Sequence, residues 1–193
     1  MGIVFFSTEK KNHAYYYIRL SMRLCIITSS FLFSSSLEEH YIRIMNIRDR
    51  FPDSCFLLVE GVLPLFFQRR LQHIIPNLLV LSDPPIQNQD FWMLRHAIQH
   101  AILHFSHCDS LIRVCSSTNT ESLSVEDLLS LPHNCFPIYH DRSGMDVFKI
   151  LRAYWPDFLN LCDRALSEST RLSLDRFCLL HLLPNTRLLY RCK

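Results

Sequence analysis

Short apolar runs recur along the chain at residues 24–27, 55–59, 77–81, 110–115 and 135–139, each closed by a polar stop. The stops are Thr28-Ser29-Ser30, Glu60, Ser82-Asp83, Ser116-Ser117-Thr118 and His140-Asp141. Runs of this length, rich in Ile, Val, Cys, Phe and Tyr, predict buried strands. Helical periods lie between them. Ser36-Leu37-Glu38-Glu39 is a capping box opening a helix with Ile42, Ile44, Met45 and Ile47, which stops before Pro52. Pro64 suits a first helical position, and Phe66, Phe67, Leu71 and Ile74 give that helix an apolar side ended by Pro76. Asp90 is placed to cap a helix through His107, whose stripe is Leu94, Ala97, Ile98, Ala101, Ile102 and Phe105. Ser124 caps a short helix to Leu131. Ser143 caps another with Val147, Phe148, Leu151 and Trp155, restarted at Pro156 and continued by Phe158, Leu161, Cys162 and Ala165.

Strands alternating with helices predict an α/β fold. The form expected is three-layered and doubly wound, a mostly parallel sheet with helices on both faces. Nearly continuous apolar strands fit burial on both sides. The rival is an all-α helical array, because short apolar runs carry no decisive period. Three segments are expected: a loose N-terminal stretch over 1–21, with Tyr15–Ile18 as a possible edge strand; an α/β domain over 22–168; and a C-terminal amphipathic helix and tail over 169–193.

An open α/β sheet binds ligands outside the carboxyl ends of its strands. That rule makes Thr28, Ser30, Glu60, Asp83, Ser117 and Asp141 the candidate ligand or partner edge. Ser29, Ser30, Asp83, Asp141 and His140 are the raw material for a hydrolase there, though no local motif fixes their geometry.

Composition narrows the chemistry. Glycine stands only at Gly2, Gly61 and Gly144, where average usage would give about thirteen. G-x-G-x-x-G, P-loop and G-x-S-x-G patterns are all missing, so no cofactor is implied and a small-molecule ligand is not expected. A net charge of +2 without a basic block gives no expectation of nucleic-acid binding. Eight cysteines without C-x-x-C read as reduced thiols of an intracellular protein, in cytoplasm or nucleus. Secretion is the alternative, since Met22-Arg23, the apolar stretch 24–33 and Ser34-Ser35-Ser36 have the order of a signal peptide. That stretch is shorter than the roughly 20 residues a membrane span needs.

His96, His100 and His104 follow one line of the 90–107 helix, with His107 beyond them. Residues four apart share a helix face, but His96 and His104 lie about 12 Å apart along the axis, beyond the reach of one ion. They are weak metal candidates, and a polar face that happens to use histidine is the plainer reading.

The succession 78–83 ending in Asp83, a helix, 111–115, Ser124–Leu131, Pro132, 135–139 and a further helix resembles the von Willebrand factor A-type domain. The likeness covers residues 23–155. That family holds a metal with an aspartate and two serines after the first strand, a middle-loop threonine and a later aspartate. Here Thr28 stands for the first aspartate, Ser30 matches one serine, Leu32 replaces the other, and Asp83 matches the later aspartate. Too few oxygens remain for a hard divalent ion, so the resemblance implies a lost metal site. It further implies a non-catalytic adaptor that binds other protein subunits of an intracellular complex. A second resemblance, Ser173-Leu174, Cys178 and Leu182, is to the elongin-binding box of SOCS-type ubiquitin-ligase receptors, and implies docking through the C-terminal helix.

Overall fold

The computed structural model describes residues 23–30, 36–61, 63–82, 85, 87–115, 133–139, 147–168, 172, 174–181 and 183–191. In chain order these form β1 (Leu24–Ser30), α1 (Leu37–Arg50), β2 (Cys55–Glu60), α2 (Leu65–Ile74), β3 (Leu78–Val80), α3 (Gln89–His104), β4 (Ser110–Cys115), β5 (Asn134–Tyr139) and β6 (Val147–Leu151). A 3-10 turn over Arg152–Tyr154 leads into α4 (Trp155–Ser167), followed by α5 (Leu174–Leu180) and β7 (Thr186–Arg191). The fold is α/β, as expected. Every apolar run read as a strand is one. Tyr15–Ile18 and the helix proposed over Ser124–Leu131 lie outside the described residues.

The strands make one sheet in the order β3-β2-β1-β4-β6-β5-β7. Neighbours run parallel except β6, which is antiparallel to β4 and to β5. Alternation along each strand feeds two cores. Cys25, Ile27, Leu57, Val59, Leu111, Phe148 and Ile150 face α3, α4 and α5. Ile26, Phe56, Leu58, Ile112, Val114 and Val147 face α1 and α2. This is the three-layer arrangement expected of a sheet buried on both sides.

Local chemistry sets the start of α1 as the sequence predicts, while the bounds of α2 and α3 shift from those expected. The amide of Glu39 donates to the Ser36 hydroxyl at 3.2 Å, the first half of the capping box. Pro64 precedes α2 as its cap rather than opening it. α3 stops at His104, short of the expected His107.

One element is corrected. Residues 147–151, read as the start of a helix, are strand β6. Val147, Phe148 and Leu151 satisfy a helical spacing, but a strand buried on both faces carries the same apolar density. What decides is β4, whose open edge needs backbone partners. β6 supplies them, with Leu111 opposite Ile150 and Arg113 opposite Phe148. The following helix does exist, and the Trp155 indole donates to the Ile150 carbonyl at 3.1 Å, closing the turn between them.

The segment from 169 onward contributes to both core and sheet. Phe177 of α5 is buried edge-on to Phe91 at 5.2 Å. Pro184-Asn185 then turns the chain, with Asn185 in the left-handed region at φ 56°. β7 runs parallel to β5 beyond it. Asn134 joins the three last strands: its amide nitrogen donates to the Pro184 carbonyl at 2.9 Å, and its side-chain oxygen accepts from the Leu151 amide at 2.8 Å. No described helix is long and apolar enough to cross a membrane.

Phe177→Ala is expected to cost about 3–5 kcal/mol, as for other large buried aromatics, read as a lower urea midpoint at unchanged slope. A loss under about 1 kcal/mol would show that α5 rests on the domain without anchoring it.

Candidate functional site

The sheet order reverses at β1. β2 and β3 extend from one side of it, and β4 lies on the other. Such a switch point opens a crevice outside the carboxyl ends of the two diverging strands, here β1 and β4. The candidate edge is therefore real as a place, but its members differ in what they offer.

Thr28 is fully buried, and its hydroxyl donates to the Val114 carbonyl at 2.8 Å. It ties β1 to β4 beneath the crevice and is not a ligand contact. Ser30 pairs in register with Glu60. Glu60 is also fully buried, with its Oε1 3.0 Å from Nε2 of His40, itself only 3% exposed. Glu60 is thus committed to the inside of the fold, bracing the end of β2 against α1. Asp83, Ser117, Asp141 and His140 lie outside the described residues.

His40 escaped sequence reading, although a signal was present. His40, Ile44 and Ile47 are the buried side of α1, spaced four and three. Ile42, counted in the expected stripe, is 49% exposed. A histidine on an apolar stripe, with one strand ending on a lone glutamate, is a pairing that only the fold makes visible.

Two buried cations flank the same region of the sheet. Arg113 of β4 donates through Nη2 to Asp90 Oδ1 at 3.0 Å, at the start of α3, and its guanidinium lies 5.9 Å from the Phe148 ring centre. Lys149 of β6 is fully buried on the α1 and α2 side, opposite Cys135. Burial holds its ammonium below the usual lysine range, with Cys135 partly offsetting this.

Three of the buried thiols are not nucleophiles at rest. Burial pushes Cys25 and Cys162 up. Burial and then a hydrogen bond with Cys55 push Cys108 up to about 12. Protonated, enclosed thiols are inert toward substrates.

The histidine line does lie on α3. His96 stacks edge-on against Trp92 at 5.0 Å, and the His100 and His104 rings are 4.3 Å apart. Burial and then Arg95 hold His96 low; burial and then His104 hold His100 low. Among the described residues no third ligand joins His96, His100 or His104 in a metal-sized group.

Leu174 and Cys178 of the supposed elongin-type box are 5% and 1% exposed and belong to the core under α3. Ser173 and Leu182 lie outside the described residues. A partner helix has no access to the two that are seen, so docking through this helix is corrected.

With the geometry in view, the class is an α/β protein with a seven-stranded mixed sheet, one strand reversed. No family model and no curated protein matches the chain. Solved structures do. One is a protein assigned as a nucleotide-diphospho-sugar transferase from Desulfovibrio desulfuricans G20, with TM-score 0.54 and 10% identity over 88% of this chain and 80% of that one. A 4-diphosphocytidyl-2C-methyl-D-erythritol synthase gives 0.51 and 11% over 88% and 89%. The glycosyltransferase GlyE of Streptococcus pneumoniae TIGR4 gives 0.50 and 13% over 87% of this chain and 45% of that one. The shared property is the fold. The expected role as a non-catalytic adaptor or scaffold is overturned by this set, whose members are named for transfer and synthesis.

Removing His40 takes a partner from a fully buried carboxylate. His40→Ala is expected to cost about 3–5 kcal/mol, and adding Glu60→Gln should restore part of it in a double-mutant cycle; additive losses would mean the pair is uncoupled. The lowered imidazoles have a stated sign. As pH falls below the ordinary 6.5, the unfolded chain takes protons before the folded one does. Stability present above that pH is lost as pH falls through the folded values. His100→Gln should flatten the fall in urea midpoint between roughly pH 7 and 5; an unchanged slope would assign it elsewhere.

Proposed function

We propose that this chain binds a nucleotide-linked sugar in the crevice outside β1 and β4 and acts as a transferase of that substrate class. The observation that carries this reading is the strand order with β6 alone reversed, in a fold shared with nucleotide-sugar and nucleotidyl enzymes. That order puts a switch point at β1 and β4, where the physics of open sheets locates ligands. The buried pairs Thr28–Val114 and His40–Glu60 support the reading as a rigid floor rather than as reacting groups. Rigid support is what a transfer site requires of its scaffold.

The sequence beyond the two strands is rich in hydroxyls. Ser34, Ser35 and Ser36 follow β1, and Ser116, Ser117 and Thr118 follow β4. Hydroxyls donate to phosphate oxygens and exchange hydrogen bonds with sugar hydroxyls. They are the side chains available for that task in a chain with glycine at only three positions. A reducing, intracellular compartment belongs to the same reading, supported by seven described cysteines that form no disulfide.

Thermal unfolding against UDP-, GDP-, CDP- and ADP-linked sugars and their parent nucleotides, with and without divalent ions, tests the proposal. A ligand present at 100 times its Kd is expected to stabilise by about 2.7 kcal/mol, which for a chain of this size raises Tm by about 5–10 °C. Release of the nucleotide on adding an acceptor sugar or water would then show transfer. A flat response to the whole panel would sink the reading.

A further inference from the structure

The opposite edge of the sheet gathers a different chemistry. β1 and β2 begin side by side there, with Cys25 opposite Cys55 in register. The turn after α3 lays His107 and Cys108 against them. Cys55 Sγ lies 3.2 Å from His107 Nε2. The ligand atoms of Cys55, His107 and Cys108 all fall within 4.8 Å of one another, and no other described group of three does so. Cys108 is fully buried at the inner side of this group, in the same core as Cys25.

We propose that Cys55, Cys108 and His107 form a zinc site that staples the amino end of β2 to the α3–β4 turn, with a water as the fourth ligand.

Two thiolates and an imidazole, completed by a water, are a donor set for tetrahedral zinc. Zinc at about 2.3 Å from sulfur and about 2.0–2.1 Å from nitrogen separates its donors by about 3.5–3.8 Å. The cluster needs a contraction of only about 1 Å to close, within reach of side-chain rotation. The backbone around it is already fixed. The Cys108 amide donates to the Phe105 carbonyl at 2.8 Å. Asp109 and Arg23 exchange two bonds: the Asp109 amide donates to the Arg23 carbonyl at 2.7 Å, and the Arg23 amide donates to Asp109 Oδ2 at 3.0 Å. Exposed His107 and part-exposed Cys55 give the ion a way in. On loading, two S–H bonds break, their protons leave to solvent, and two Zn–S bonds form, so no oxidant or reductant is needed. The ion binds the folded chain, and stabilises it accordingly. The site lies at the other end of the strands from the crevice proposed above and is independent of that reading.

The test uses the full chain purified under reducing conditions and equilibrated with zinc alone. One zinc per chain by elemental analysis is expected, with X-ray absorption showing two sulfur neighbours at about 2.3 Å and lighter nitrogen and oxygen neighbours at about 2.0–2.1 Å. Cys55→Ser and His107→Ala change surface-accessible ligands, so both should keep a wild-type circular dichroism spectrum. Each should weaken zinc binding tenfold or more and lose the zinc-dependent rise in Tm. Substoichiometric zinc overturns the proposal, as does a shell with fewer than two sulfurs, zinc binding indifferent to both substitutions, or a Cys55–Cys108 disulfide in the reduced preparation.

Discussion

Burial of β1 on both faces is the constraint on which the other features depend. Cys25, Ile26 and Ile27 are all without solvent exposure, and their side chains alternate between two separate cores. A strand so placed needs a backbone partner on each side and a helical layer above and below. β2 and β4 provide the first, and α1 with α2 against α3 with α4 provide the second. The edge left open by β4 then requires a further strand, and β6 fills it from the opposite direction.

The same constraint sorts the polar chemistry. The middles of β1 and β2 are apolar, and their polar groups and thiols collect toward the two ends. At the carboxyl end Thr28 and Glu60 turn inward, to Val114 and His40. Burying such a carboxylate is costly unless it is hydrogen-bonded, and here the partner is supplied by the helix that follows β1. The result is a stiff floor under the switch point. At the amino end the thiols of Cys55 and Cys108 meet beside His107, where soft donors are enclosed but one side stays open to solvent.

Site and fold were unequally legible. The carboxyl edge followed from the apolar runs and their polar stops, a local pattern. Which members of that edge face a ligand did not follow, because Thr28 and Glu60 are polar in sequence and buried in space. His107 and Cys108 stood near the histidine line, whereas Cys55 is remote in sequence and entered the cluster only through strand pairing. The elongin-type box failed for the same reason in reverse: Leu174 and Cys178 matched a short pattern, but α5 spends its apolar side on Phe91 and its neighbours. An inference of function from a resemblance in element order was weaker still, since β6 was misread as helix and its reversed direction distinguishes this sheet.

The sequence by itself determined the strand candidates that proved to be β1 to β5, the capped start of α1, the apolar stripe of α3 and the α/β class. Each of these rests on contacts a few residues apart, where period and capping are physical and local. Only the tertiary structure decided the place of β6 and β7, the His40–Glu60 pair and the Cys55–His107–Cys108 cluster. These depend on which strand edges remain unpaired and which side chains share a face across the sheet. Pairings of residues twenty to eighty positions apart leave no period in the chain for a reader to find.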